Sequence, residues 1–124
     1  QAQRIAVIRA VAEKQGIDLF INARTDLFLG QKGDPLDSID DAKNRAKLYR
    51  EAGASGLFIP GLQDAVLIKQ IVLGTELPVN VMMMSGMPDN KRLLDCGVAR
   101  ISYGPIPYID AMNRVKGEAQ KVFA

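Results

Sequence analysis

Histidine and tryptophan are absent from these 124 residues, aromatic side chains make up only 6%, and cysteine occurs once, at Cys96. Without imidazole, the chain cannot supply a Ser-His triad, a histidine acid/base pair or a histidine-ligated metal. A lone thiol closes no intramolecular bridge, which excludes a disulfide scaffold and points to a cytosolic, reducing setting. No apolar run approaches the ~20 residues needed to span a bilayer. Charge of one sign is also lacking. Sixteen Lys and Arg face fourteen Asp and Glu, a net +2 with no basic cluster, which argues against nucleic acid as the main partner. The glycine-rich dinucleotide and P-loop fingerprints do not occur. What remains, 48% hydrophobic and 24% charged, is the composition of one ordinary globular domain at most, with small molecules or protein as expected partners. The chain opens on Gln1 without an initiator methionine or a signal-peptide pattern, which leads us to expect a processed or partial product.

No segment reads as a linker or a low-complexity tract. Ile5, Ile8, Val11 and Ala12 follow helical spacing up to Gly16, and Leu19–Ala23 is a short, nearly continuous apolar run expected to form a buried strand. Ser38 with Asp41 resembles a capping box ahead of a helical stripe at Ile39, Ala42, Ala46 and Tyr49. Leu57–Ile59, bounded by Gly56 and Pro60-Gly61, repeats the buried-strand pattern. A helix on Leu67, Ile68, Ile71 and Val72 ends at Gly74, and Val79–Met82 is the third strand. Leu93 and Leu94 mark a short helix, Ile101–Tyr103 the fourth strand, and Tyr108, Met112, Val115, Ala119 and Val122 the stripe of a final helix. The order αβαβαβαβα predicts an α/β fold with a parallel sheet. Length favours a four-stranded open sheet with helices on both faces, the alternative being half of a (β/α)8 barrel of ~250 residues.

In either architecture, functional groups gather where the strands end at their carboxyl termini. Arg24, directly after the first strand, needs an anionic or carbonyl partner, either a substrate carboxylate or phosphonate or a structural salt bridge with a carboxylate such as Asp26. Asn80 is an amide inside a buried strand, suited to orienting a substrate oxygen or to tying neighbouring segments together. Asn22 shares the Arg24 side of its strand and would support it from beneath. Ser102 is a similar polar intrusion in the fourth strand, with no base to make it a nucleophile. Met82–Met84 reads as packing and Cys96 as a small buried apolar group. Asp34, Asp37, Asp40 and Asp41 complement a helix start rather than bind a cation. Gly30, Gly33 and Pro35 mark a loop that suits a cover over substrate, although ordinary surface loops share this composition.

These residues resemble the isocitrate lyase/phosphoenolpyruvate mutase superfamily, in its phosphonomutase or carboxyvinyl-carboxyphosphonate phosphorylmutase branch. Phe20-Ile21-Asn22-Ala23-Arg24-Thr25-Asp26 is similar to the family's fifth strand, and Arg45–Ala54 to the helix after it. Gly56–Gly61 is similar to the sixth strand, Leu77–Met82 to the seventh and Gly97–Ser102 to the eighth. The ordered match implies that residues 1–124 are a single partial domain, the carboxyl-terminal half (strands 5–8) of a (β/α)8 TIM barrel of the phosphoenolpyruvate/pyruvate type.

The resemblance further implies a Mg²⁺-dependent lyase or phosphonomutase acting on C–C or P–C bonds of small 2-oxo, 2-hydroxy or phosphono carboxylic acids. Arg24 would bind the carboxylate or phosphonate and stabilise an enolate-like transition state, Asn80 would bind another substrate oxygen, and Gly61 and Ser102 would line the pocket. The magnesium ligands belong to the first half of the family's barrel, which is expected as a partner, so this chain would supply no metal ligand and be inactive alone. Lyase members often carry Glu after the sixth-strand proline where this chain has Gly61. A half barrel exposes two sheet edges and an uncovered apolar inner face, both of which drive self-association. The alternative expectation is a non-catalytic remnant, or a carboxylate-binding module that assembles as a dimer of half barrels.

Overall fold

The computed structural model describes residues 1–30 and 33–123. Part of the Gly30–Pro35 loop, expected to cover a substrate, therefore lies outside the described residues. The element order is α1 (Ala2–Lys14), β1 (Asn22–Arg24), a 3₁₀ turn (Pro35–Ser38), α2 (Ile39–Glu51), β2 (Gly56–Phe58), α3 (Ala65–Leu73), β3 (Val79–Met82), α4 (Asn90–Asp95), β4 (Arg100–Ser102) and α5 (Ile106–Phe123). Every strand pairs in parallel with its sequence neighbour, giving the spatial order β1-β2-β3-β4. An open sheet with helices on both faces requires the strand order to reverse, and here it never does. Crossovers of one hand between successive neighbours place the connecting helices on one face only.

Burial follows that topology. Ala23, Thr25, Leu57, Ile59, Val79 and Val81 are buried, packed under Ile39, Ala42, Ala46 and Tyr49 of α2, Ile68 and Ile71 of α3, and Leu93 of α4. Each fully buried Leu or Ile contributes about 1.5–3 kcal/mol of transfer free energy, so this helix-side layer carries the stability of the fold. The opposite face holds Asn22, Arg24, Phe58, Asn80, Met82, Arg100 and Ser102, by the period-two alternation of a strand. It was expected to be apolar and is mostly polar, because the positions that point away from the helices carry amides, a hydroxyl and two guanidinium groups.

Several local expectations shift. The apolar run Leu19–Ala23 yields a strand only from Asn22, and Phe20 is 60% exposed. The ladder cannot start earlier because β2 begins at Gly56, in register with Asn22. Ser38 makes no capping hydrogen bond from its side chain, and Asp41 pairs instead with Arg45 one turn along. The 3₁₀ turn ahead of α2 is held by Asp34, whose carboxylate accepts from the Leu36 amide at 2.9 Å. Of the first helical stripe, Ile5 and Ala12 are buried but Ile8 and Val11 are exposed. The α5 stripe is exposed along its whole length, and that helix buries no residue. Amphipathic spacing shows that a helix has an apolar face and does not specify what covers it.

Arg9 fastens α1 to the sheet. Its guanidinium donates to Gly53 O at 3.0 Å, Leu19 O at 2.9 Å and Ser55 Oγ at 3.0 Å, while that hydroxyl accepts from the Ile21 amide at 3.1 Å. The clamp sets the entry of the chain into β1 and so the level at which Arg24 leaves the sheet. No described helix is long and apolar enough to cross a membrane.

Candidate functional site

The register brings Arg24, Phe58, Asn80 and Arg100 into one row across the four strands, on the face the helices leave open. Arg24 and Asn80 thus stand two strands apart, about 10 Å at the usual spacing of 4.7–4.9 Å between strands. Phe58 lies between them, its ring centroid 6.0 Å from Arg24 Cζ, at the outer limit of a cation–π contact. The Arg24 Nε donates to Asp26 Oδ1, and both side chains are about half exposed or more. The salt bridge weighed from the sequence is therefore formed. A guanidinium has five N–H groups, and the one on Nε is the one used by Asp26.

Asn80 is only 3% exposed and joins Ser102 on the neighbouring strand. Its Nδ2 donates to Ser102 Oγ at 3.1 Å, and the hydroxyl donates to Asn80 Oδ1 at 3.2 Å. This pair ties strands β3 and β4 together, and an amide engaged in this way keeps one further N–H for another acceptor. In a double-mutant cycle of Asn80→Ala and Ser102→Ala, measured by chemical denaturation, we expect a coupling of about 1 kcal/mol. A coupling of zero would mean that the pair does not hold the strands.

Gly61 does not simply line a space. Its φ of +95° lies in the left-handed region, and a Cβ added there would stand 2.3 Å from Phe28 O and 2.9 Å from Leu29 Cα. The backbone after β1 is seated on this glycine, and Phe28 beside it is buried. Two more ties continue around the carboxyl ends of the strands: Gln63 Nε2 donates to Ser85 O at 2.7 Å, and Asn90 Nδ2 to Tyr103 Oη at 2.9 Å. The first connects the loop after β2 with that after β3, and the second the start of α4 with the loop after β4. Gln63, Asn90 and Tyr103 were missed in the sequence because nothing in their local spacing marks long-range partners.

Beneath Arg24, buried Thr25 receives a long contact of 3.5 Å from Arg45 Nη1. Arg45 Nη2 also donates to Asp41 at 2.9 Å, and this hydrogen bond, outweighing desolvation, holds the Arg45 proton above the ordinary guanidinium range. Cys96 is buried, with its thiol donating to Ala65 O at 3.4 Å, and Met83 and Met87 pack against the core. Among the described residues, no three His, Cys, Asp or Glu side chains gather as a metal site. A cavity of about 340 Å³ lies at the other end of the sheet, before β2 and β3, lined by Lys47, Glu51, Thr75 and the Arg50–Glu76 ion pair. Its charges are of both signs and partly paired with each other, and it is remote from the Arg24 row.

The model of the phosphoenolpyruvate phosphomutase family matches residues 1–123. Among solved structures, a candidate phosphonomutase of Burkholderia cenocepacia J2315 superposes with a TM-score of 0.92 at 42% identity, over 97% of this chain and 49% of that one. A 2,3-dimethylmalate lyase of the phosphoenolpyruvate mutase/isocitrate lyase superfamily shares the fold at TM-score 0.73 and 19% identity, over 97% and 44%. An uncharacterized protein of Mycobacterium tuberculosis H37Rv, Rv1998c, is 35% identical over 106 residues, which are 84% of this chain and 39% of that protein. An oxaloacetate decarboxylase of Pseudomonas savastanoi is 29% identical over 116 residues, 90% and 37% respectively. The chain spans half or less of the length of these relatives. With its singly wound sheet, its Ala-Arg-Thr-Asp strand end and a match along nearly all its length, the chain belongs to the phosphoenolpyruvate phosphomutase family.

Proposed function

We propose that residues 1–124 form the carboxyl-terminal half of a (β/α)8 barrel that acts as a lyase or phosphonomutase on small 2-oxo, 2-hydroxy or phosphono carboxylic acids. The observation that carries this reading is the placement of Arg24 at the carboxyl end of β1, on the open face and in one row with Asn80. Asp26 holds Nε and so orients the guanidinium, while a carboxylate or phosphonate would engage the N–H groups on the two terminal nitrogens. Charge developing on the substrate during bond cleavage would be met by that preorganised fork. Asn80, braced by Ser102, would donate its remaining N–H to a second substrate oxygen. Gly61 serves this site by letting the β1 loop close down on the β2 loop.

The resemblance implies Mg²⁺, which would polarise an oxo group when bound. The described residues do not fit that ion by themselves, since no three acidic side chains converge and Asp26 is engaged by Arg24. No step of this reading runs through a metal held by this chain, and the ligands fall to the other half of the barrel.

The test is turnover of a panel of 2-oxo, 2-hydroxy and phosphono acids with Mg²⁺. The chain would be assayed alone and co-expressed with the half of the Burkholderia cenocepacia relative that lies outside the match. Activity confined to the combined halves supports the proposal. A chain that binds carboxylates as a stable dimer, with no turnover in either setting, would establish the non-catalytic module instead.

A further inference from the structure

The row across the sheet ends in a guanidinium on each edge strand, Arg24 on β1 and Arg100 on β4. Their surroundings differ. Arg24 is engaged by Asp26, whereas Arg100 is exposed and makes no ion pair or side-chain hydrogen bond among the described residues. It is not a helix-surface cation that water would serve equally well. It projects from the uncovered sheet face, at the edge where β4 has a neighbour on one side only, beside the buried Asn80.

We propose that Arg100 is the cation of an ion pair that docks the complementary half of the closed sheet. The strand laid against β4 would supply an Asp or Glu on the same inner face. This rests on the half-barrel reading above and adds to it the chemistry of the junction. Three observations select that occupant. The chain covers only 49% of the relative that superposes with a TM-score of 0.92, so that protein contains a second portion of comparable length. The open face carries two guanidinium groups, and the carboxylate that follows β1, Asp26, is already used by Arg24, so the anion for Arg100 falls to the complement. A second copy of this chain would offer β4 the β1 edge, whose open-face positions are Asn22 and Arg24 followed by that same engaged Asp26, so the strand itself supplies no uncommitted acid. Enclosed between strands, a guanidinium without an anion is strongly disfavoured, so this pair selects the correct partner and register.

The test is a single-chain fusion that places the uncovered half of the Burkholderia cenocepacia relative ahead of Gln1, compared with the 124-residue chain alone. Arg100→Glu and a control, Lys91→Glu on the exposed side of α4, are made in both. The expected result is a wild-type fusion that melts cooperatively above the isolated chain. Arg100→Glu should lower the melting temperature of the fusion by about 4–10 °C and leave the isolated chain within about 1 °C, with the control silent in both. If the fusion is stabilised but Arg100→Glu behaves like the control, or costs the same in both proteins, the assignment of Arg100 is overturned and the half-barrel reading stands. If the fusion gains no stability over the isolated chain, the half-barrel reading fails and this inference with it. An isolated chain that dimerises through Arg100, losing its dimer on Arg100→Glu, assigns the carboxylate to a second copy and also overturns the proposal.

Discussion

Gly61→Ala is expected to destabilise the chain by about 3 kcal/mol or more, the sum of backbone strain and overlap with a neighbouring carbonyl. Its φ of +95° is one that side chains rarely adopt, and the added carbon would sit 2.3 Å from Phe28 O. Backbone atoms of a turn anchored by the buried Phe28 ring cannot step aside as the end of a flexible side chain can. Gly30→Ala separates the two causes, because Gly30 has φ +70° and open space around its missing Cβ. It should cost only the strain, about 1 kcal/mol. Equal losses at the two positions in denaturant titrations would show that contact with Phe28 carries no weight. Gly61→Glu introduces the acid that the resemblance leads one to expect in lyase members and should be at least as damaging as alanine.

The second large effect concerns Arg24. In the barrel assembled from both halves, Arg24→Ala should reduce kcat/KM by about 10²–10³, as loss of a preorganised donor to a developing anion does. The folded chain should barely change, since the Arg24–Asp26 pair is about half exposed and exposed pairs contribute about 0–1 kcal/mol. Arg24→Lys should recover only part of the activity, because an ammonium keeps the charge but loses the planar fork. Steady-state kinetics and thermal melts on the same preparations decide the matter. A variant that melts far lower yet turns over substrate normally would make the pair with Asp26 structural and remove Arg24 from the reaction.

Local pattern was enough for some elements and failed for others, for identifiable reasons. Val79–Met82 is both the expected and the observed third strand, since it follows Pro78 and is flanked by strands on both sides. The first and fourth strands were displaced along the chain, because their limits depend on where a neighbour begins and ends. The α2 stripe was read correctly, as all four of its apolar positions face the sheet. The α5 stripe has the same periodicity and buries nothing, because that helix does not pack down on the sheet.

Apolar periodicity, turn glycines and the Ala-Arg-Thr-Asp motif by themselves determined a parallel α/β chain with an arginine at the end of its first strand, since these depend on neighbours a few residues apart. Only the tertiary structure decided that Asn80 spends two hydrogen bonds on Ser102, that Gly61 receives Phe28, and that Arg24 and Arg100 share a row. Those relations join residues from about twenty to more than seventy positions apart. They follow from strand register and close packing, which no local pattern of residue types encodes.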